Sequence, residues 1–132
     1  PHPGPDNQPK VLLTTFPQES HGLGLLMAEC LLALEGCRCI SLGTQTPLRD
    51  IVLGVQAHQV DVIALSFSIS LNPNHVLDGL SELRRQLPDA VEIWAGGRCP
   101  VLHRRALPGV VTLGPLEDIP AQIQSWRAGH PG

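Results

Sequence analysis

Short apolar runs alternate with amphipathic stretches from residue 10 almost to the end of the chain, and this alternation limits the possible folds more than any other feature. Apolar runs of strand length recur at 10–16, 37–43, 60–67, 90–97 and 109–114. Stretches with apolar residues at helical spacing follow them at 21–36, 46–59, 72–88 and 116–129, and a short helix is expected around 100–106. Strands that alternate with helices through short loops are typical of a doubly wound parallel sheet. We therefore predict an α/β fold, a flavodoxin-like doubly wound five-stranded parallel sheet with ligands beyond the carboxyl ends of its strands.

Single residues support these element boundaries. Gly36 ends the first predicted helix, at the position where a left-handed residue commonly stops a helix. Pro47 and Pro73 stand at the starts of the second and third helices, where proline costs no hydrogen bond. The run 60–67 is apolar almost throughout beyond Asp61, which predicts a central strand covered on both faces.

Length and composition fit one globular domain of 132 residues, 42% hydrophobic and 16% charged. We expect a Pro-rich linker to a longer protein over 1–9, a ligand-binding domain over 10–128 and a flexible tail over 129–132. The formal net charge of -3 argues against binding of a nucleic-acid backbone by this segment. No apolar run has the length of a membrane helix and no signal peptide is evident, so we expect a cytoplasmic location without a membrane partner.

The four cysteines, Cys30, Cys37, Cys39 and Cys99, show no CxxC spacing. Cys37 and Cys39 are alternate residues of a predicted strand, so their side chains share one face and could supply half of a metal site. Small buried thiols in a reducing compartment are the favoured interpretation.

Small and hydroxyl-bearing residues collect in the loops that follow the predicted strands. In chain order these loops read PQESHGLG, GTQTP, SFSISLNPN, GGRCP and GPLED. In the predicted sheet all of them lie at one edge, and the loops of the opposite edge hold fewer small hydroxyls. We therefore predict a ligand site at the first edge, with small residues that let a bulky ligand approach the backbone closely.

Three familiar occupants of this fold do not match. A response-regulator receiver domain needs clustered acids and a lysine near the fifth strand, but the third strand ends in SFS and the only lysine is Lys10. A flavodoxin needs aromatic residues around its flavin, and the later loops hold only Phe67. A dinucleotide motif G-x-G-x-x-G begins at Gly22 and Gly24 but fails at Met27.

The first loop fits a pattern other than the dinucleotide motif. This pattern is D/E-x-H-x-x-G, which matches Glu19-Ser20-His21-Gly22-Leu23-Gly24. Ser66-Phe67-Ser68-Ile69-Ser70 follows at the end of the third strand, and Gly96-Gly97 ends the fourth. In this order the motifs resemble the cobalamin-binding domain of methionine synthase, of base-off mutases and of MerR-type transcriptional regulators that respond to light or cobalamin. The resemblance covers about residues 10–128 and is strongest with the MerR-type regulators.

The resemblance implies a role for each motif, with adenosylcobalamin or methylcobalamin as the cofactor. His21 would be the lower axial ligand of cobalt, and Glu19 would orient its ring. Ser66 and Ser70 would donate hydrogen bonds to the displaced base and to oxygens of the nucleotide tail. Three glycines would leave room for that tail, namely Gly24, Gly96 and Gly97.

The expected cofactor-binding set also includes neighbouring loop residues, which are Ser20, Gly22, Leu23, Gly43, Thr44, Ser68 and Gly114. Two residues depart from the family pattern. Glu19 replaces an aspartate, which lengthens the reach to the imidazole. Ser68 replaces a leucine, and we expect this change to weaken the wall around the buried base.

The function implied is that of a cobalamin-binding sensor domain in a MerR-type regulator, not of an enzyme. DNA would be bound only through an N-terminal helix-turn-helix absent from this chain, and the full-length protein would form a homo-oligomer. A photoreceptor role would need a helical bundle over the upper ligand, which is also absent. Two alternatives stay open, a corrinoid carrier subunit of a methyltransferase or mutase and a cofactor-free oligomerisation domain. A purely local interpretation makes residues 19–22 a helix start with Ser20 as N-cap.

Overall fold

A computed structural model describes residues 8–131 and has the predicted parallel sheet. The strands are β1 (Lys10–Thr14), β2 (Arg38–Gly43), β3 (Val62–Phe67), β4 (Glu92–Gly97) and β5 (Val110–Thr112). Over the described residues they form one sheet in the order β2-β1-β3-β4-β5, and each neighbouring pair is parallel. This order is the predicted flavodoxin-like one. β3 lies at the centre, and all its side chains are buried except the half-buried Ser66.

Helices cover both faces of the sheet. They are α1 (Leu23–Leu34), α2 (Leu48–His58), α3 (Pro73–Gln86), α4 (Val101–Arg104) and α5 (Ile119–Gly129), with a 3-10 turn at Leu116–Asp118 before α5. α1 and α5 contact each other on one face, and α2, α3 and α4 pack on the other. Each face of the sheet therefore has its own apolar core.

Alternate residues of β3 serve these two cores, because successive side chains of a strand point to opposite faces. Ile63, Leu65 and Phe67 belong to the core beneath α2, α3 and α4. Val62 and Ala64 belong to the core beneath α1 and α5. Ser66 continues this second set, so its hydroxyl lies on the face that α1 covers.

The predicted elements are longer than the observed ones by a few residues at most, because their last residues close caps and turns. At the end of α1, Gly36 has a φ of +87°. Its N–H donates to the carbonyl of Ala33, and the N–H of Cys37 donates to the carbonyl of Leu32, both at 3.0 Å. This pair of bonds forms a Schellman motif and confirms the role predicted for Gly36.

The interpretation of residues 19–22 as a helix start capped by Ser20 is wrong. α1 begins at Leu23, and its N-cap is Gly22 without a side-chain cap. The N–H of Glu19 instead donates to the carbonyl of Phe16 at 3.0 Å in a tight turn. The loop stays outside the helix because the side chain of Glu19 is buried and bonded elsewhere.

The thiols follow the favoured interpretation in part. Cys37 and Cys99 are buried and Cys39 is half-buried, whereas Cys30 is exposed. Burial and the neighbouring Cys37 raise the pKa of Cys39 to about 11. Over residues 8–131 no group of three His, Cys, Asp or Glu side chains is arranged to hold a metal ion.

The predicted linker over 1–9 lies outside the described residues except for its last two positions, and Gly132 of the predicted tail lies outside them as well. No helix in the described part of the chain combines the length and the hydropathy needed to cross a membrane.

Candidate functional site

Glu19 lies at the centre of the site and is only 1% exposed, although carboxylates are rarely buried without partners. Its Oε1 accepts the backbone N–H of Ser68. Its Oε2 accepts the hydroxyl of Ser68 at 2.9 Å and the backbone N–H of His21 at 3.2 Å. Oε2 also lies 2.8 Å from Nδ1 of the His21 ring. These donors satisfy the carboxylate in its ionised form.

The pKa of Glu19 is lowered from its ordinary value. Burial by itself raises this pKa, since removal from water disfavours the charge. Hydrogen bonds from the backbone of Ser68, the ring of His21 and the hydroxyl of Ser68 together outweigh that effect. An ionised carboxylate can only accept, so Nδ1 of His21 carries the proton of this bond. In the neutral ring the lone pair is then on Nε2.

The imidazole of His21 is fixed on one side and open on the other. Its side chain is 68% exposed, although Nδ1 is held by the buried Glu19. Nε2 has no hydrogen-bond partner among the residues that the structure describes. A ring with one nitrogen oriented by a carboxylate and the other free is the usual arrangement of a metal-binding histidine.

Two buried threonines fix the loop that carries this pair. The hydroxyl of Thr15 donates to the carbonyl of Glu19 at 2.8 Å and accepts the N–H of Gln45 at 2.8 Å. The hydroxyl of Thr14 donates to the carbonyl of Gly43 at 2.8 Å. The loops after β1 and β2 are therefore joined. Neither threonine is among the predicted site residues, although two hydroxyls at the end of an apolar strand are a usable signal.

A cavity of about 890 Å³ opens between α1, the carboxyl ends of β3 and β4 and the segment before α5. The floor of this cavity is buried and apolar, and consists of Leu25, Leu32, Ala64, Trp94 and Ile119. Six of the predicted site residues line it, namely Leu23, Gly24, Ser66, Gly96, Gly97 and Gly114. Its volume is in the range of small-molecule and cofactor sites, about 300–1,000 Å³.

A side chain at each of three glycines around the cavity would meet a different neighbour. A Cβ on Gly24 would lie 3.1 Å from Oγ of Ser66, so its absence lets α1 approach β3. A Cβ on Gly96 would meet nothing closer than Cβ of Leu113 at 3.8 Å, so a side chain there would enter the cavity. A Cβ on Gly97 would lie 2.1 Å from the carbonyl oxygen of Phe67, so the close pairing of β4 with β3 requires glycine at this position.

The other predicted residues lie outside the cavity. A Cβ on Gly22 would be 3.2 Å from the methyl group of Thr44, so the loop after β2 rests against the loop of His21. Ser20 is exposed. Ser70 is also exposed, and its hydroxyl lies 2.9 Å from that of Ser68.

Ser68 differs most from its expected role. It does not line the cavity, and its N–H and hydroxyl both hold Glu19. Ser68 was expected to weaken a wall around the ligand. In the structure it instead makes a polar contact with Glu19 in the loop after β1. The physical reason is that β3 ends at Phe67, so the alternation of faces no longer applies to the next residue.

Sequence reasoning also missed a charged part of the cavity lining. Arg98 and His103 both line the cavity beside Gly97. His103 belongs to α4. The sequence feature that could have indicated this charge is Arg98, which directly follows Gly96 and Gly97.

The family model of the B12 binding domain matches residues 9–123. The chain belongs to the B12-binding domain family. Among curated proteins it is similar to the HTH-type transcriptional repressor CarH of Myxococcus xanthus, with 34% identity over 93 residues. The match covers 70% of this chain and 31% of the repressor, so the chain spans about a third of that relative's length.

Two solved structures share the fold of this B12-binding domain. A cobalamin-binding protein from Desulfitobacterium hafniense DCB-2 superposes with a TM-score of 0.73 at 20% identity, over 89% of this chain and 58% of that one. The methanol:cobalamin methyltransferase complex MtaBC from Methanosarcina barkeri gives 0.74 at 15% identity, over 91% and 46%. At these identities the likeness establishes the fold.

The residues present fit a B12 cofactor by their chemistry. The open Nε2 of His21 is a suitable donor for cobalt, and the buried Glu19 fixes the ring that bears it. The cavity adjoins this pair, because α1 begins directly after the loop of His21 and its first residue, Leu23, already lines the cavity. The bare backbone of Gly96 keeps the space in front of β4 free.

Proposed function

We propose that this B12-binding domain holds cobalamin base-off, with His21 as the lower axial ligand of cobalt, and serves as the sensor domain of a MerR-type transcriptional regulator. The observation that carries the ligation is the pairing of His21 with Glu19 at 2.8 Å. A buried ionised carboxylate fixes Nδ1 and leaves Nε2 as the donor. Bound cobalt would supply the metal–carbon bond that carries an adenosyl or methyl group.

The cavity would take the nucleotide tail of the cofactor. Its apolar floor suits the flat benzimidazole base, which needs a site once His21 takes its place at the metal. Ser66 is the hydroxyl that lines this cavity and would donate to the ring nitrogen of the base. Ser70 lies outside the cavity, and its hydroxyl would support Ser68 by the hydrogen bond between them.

The likeness to a transcriptional repressor supports the regulatory role. DNA would be contacted by a helix-turn-helix elsewhere in a longer protein, consistent with the net charge of -3 on this segment. Cobalamin would then act in the cytoplasm by changing the assembly of a homo-oligomer, without catalysis by this domain. A photoreceptor role would depend on the upper ligand of cobalt and on a helical bundle that covers it.

The ligation is tested by absorbance titration with hydroxocobalamin, methylcobalamin and adenosylcobalamin. We expect wild-type protein to give a histidine-ligated base-off spectrum and His21→Ala to lose it. His58→Ala is the matched control, because His58 is an exposed histidine of α2 outside the site. Glu19→Gln should weaken binding by about 10- to 100-fold, the usual cost of losing the partner of a ligand histidine. Identical spectra for wild type and His21→Ala would disprove the ligand role.

A corrinoid carrier is the second candidate, because a methyltransferase complex shares the fold over most of the chain. The site would be the same and the partner different. In the longer protein, cobalamin-dependent DNA binding or oligomer size supports the sensor. Methyl transfer to a partner enzyme, without such a change, supports the carrier.

A further inference from the structure

Among the described residues that line the cavity, only Arg98 and His103 can carry a charge, and both charges are positive. The proposed binding of cobalt and of the base uses neither of them. Their positive charge contrasts with the net charge of -3 on the segment as a whole. A cationic rim on an otherwise apolar cavity indicates a ligand with an anionic part.

The backbone at this rim is held on both sides. The N–H of Arg98 donates to the carbonyl of Phe67 at 2.9 Å. Nε2 of His103 lies 3.2 Å from the carbonyl oxygen of Gly97, and since a carbonyl only accepts, Nε2 is the protonated nitrogen. β3 and α4 therefore both fix the peptide from which the side chain of Arg98 extends.

The guanidinium of Arg98 is available to a ligand. Arg98 is exposed and forms no ion pair within the described residues. Asp118 lies close to the cavity edge, since its Oδ2 would be 2.9 Å from a Cβ on Gly114. It is not itself part of the lining.

We propose that Arg98 binds the phosphodiester of the cofactor's nucleotide tail. This inference rests on the proposed base-off binding. The tail runs from base to ribose to phosphate to corrin, so a base on the apolar floor puts the phosphate nearer the cavity mouth. Trp94 of the cavity floor is buried and Arg98 is exposed, so the arginine lies on the solvent side of the cavity.

Arginine suits this role because its planar fork bonds two phosphate oxygens at once. The exposure of Arg98 limits the effect through solvent screening. We therefore expect Arg98→Gln to weaken cobalamin binding by about 3- to 10-fold, less than the loss of a buried charge-assisted bond would cause. Arg98→Lys should recover part of this loss as a point charge without the fork.

The test compares cobalamin, cobinamide phosphate and cobinamide, which lacks both phosphate and base. Dissociation constants are measured by absorbance titration for wild type, Arg98→Gln, Arg98→Lys and Arg104→Gln. Arg104 is the matched control, since it is an exposed arginine of α4 that does not line the cavity. We expect Arg98→Gln to weaken the two phosphate-bearing ligands and to leave cobinamide unchanged, while Arg104→Gln matches wild type.

The proposal for Arg98 is overturned if Arg98→Gln binds cobalamin as tightly as Arg104→Gln does. It is also overturned if the loss is the same for cobinamide as for cobinamide phosphate. The proposed function is judged separately, from the histidine-ligated spectrum of the wild-type protein. A wild type with that spectrum and no Arg98 effect contradicts only this inference.

Discussion

Gly97→Ala should destabilise the domain far more than an ordinary glycine substitution. Gly97 has a φ of +112°, and an added Cβ would lie 2.1 Å from the carbonyl oxygen and 2.9 Å from the nitrogen of Phe67. That carbonyl already accepts the N–H of Arg98 at 2.9 Å, so it cannot move without loss of a bond. Either β3 and β4 separate at their carboxyl ends or the backbone of Gly97 changes conformation.

The magnitude follows from two contributions. A side chain in a glycine-only region of φ costs about 1–3 kcal/mol. Overpacking against a fixed neighbour adds about 1–3 kcal/mol or more. We expect a total of about 3–5 kcal/mol, a large part of the roughly 5–15 kcal/mol that stabilises a typical domain.

The measurement is urea unfolding at 25 °C, with Gly43→Ala as the matched control. Gly43 also has a positive φ, +77°, but a Cβ there would meet nothing within 4 Å. Gly43→Ala therefore isolates the backbone cost, about 1–2 kcal/mol. If the two variants lose the same free energy of unfolding, the close approach of Gly97 to Phe67 does not constrain the fold and the reasoning is wrong.

Three further predictions concern the cavity and the carboxylate. Gly96→Ala should leave the free energy of unfolding unchanged or slightly higher but weaken cobalamin binding, because its Cβ enters the cavity near Leu113; equal affinity by titration would contradict this. Ser68→Ala should cost about 1–2 kcal/mol in urea unfolding, since one charge-assisted bond to Glu19 is lost while the backbone bond remains. Ser70→Ala, which removes only an exposed hydroxyl contact, is its control and should cost less than about 0.5 kcal/mol. Because the pKa of Glu19 is lowered in the folded state, its contribution is complete above its ordinary pKa of 4.5 and is lost as pH falls through the folded value. Wild type should therefore lose stability more steeply than Glu19→Gln in acid unfolding below about pH 4.5, and parallel curves would refute this.

The order of strands and helices could be predicted from the sequence because it depends on local periodicity. The run 60–67 is apolar on both faces, and this alone placed it at the centre of a parallel sheet. The contact between Glu19 and His21 was implied by the resemblance of their motif to cobalamin-binding domains, and the separation of two residues in one loop permits it. Gly36 was recognisable as a helix end for the same local reason.

Contacts between distant segments were decided only by the tertiary structure. Ser66 and Ser68 look equivalent in the sequence, yet Ser66 lines the cavity and Ser68 holds Glu19. The difference arises because β3 ends between them, and where a strand ends depends on its neighbours. Gly96 and Gly97 also look alike, but Gly97 alone lies against Phe67, because the parallel pairing of β3 with β4 sets which backbone atoms meet. Local pattern determined the elements and set Glu19 and His21 in one loop, whereas the register of the sheet determined which side chains surround them.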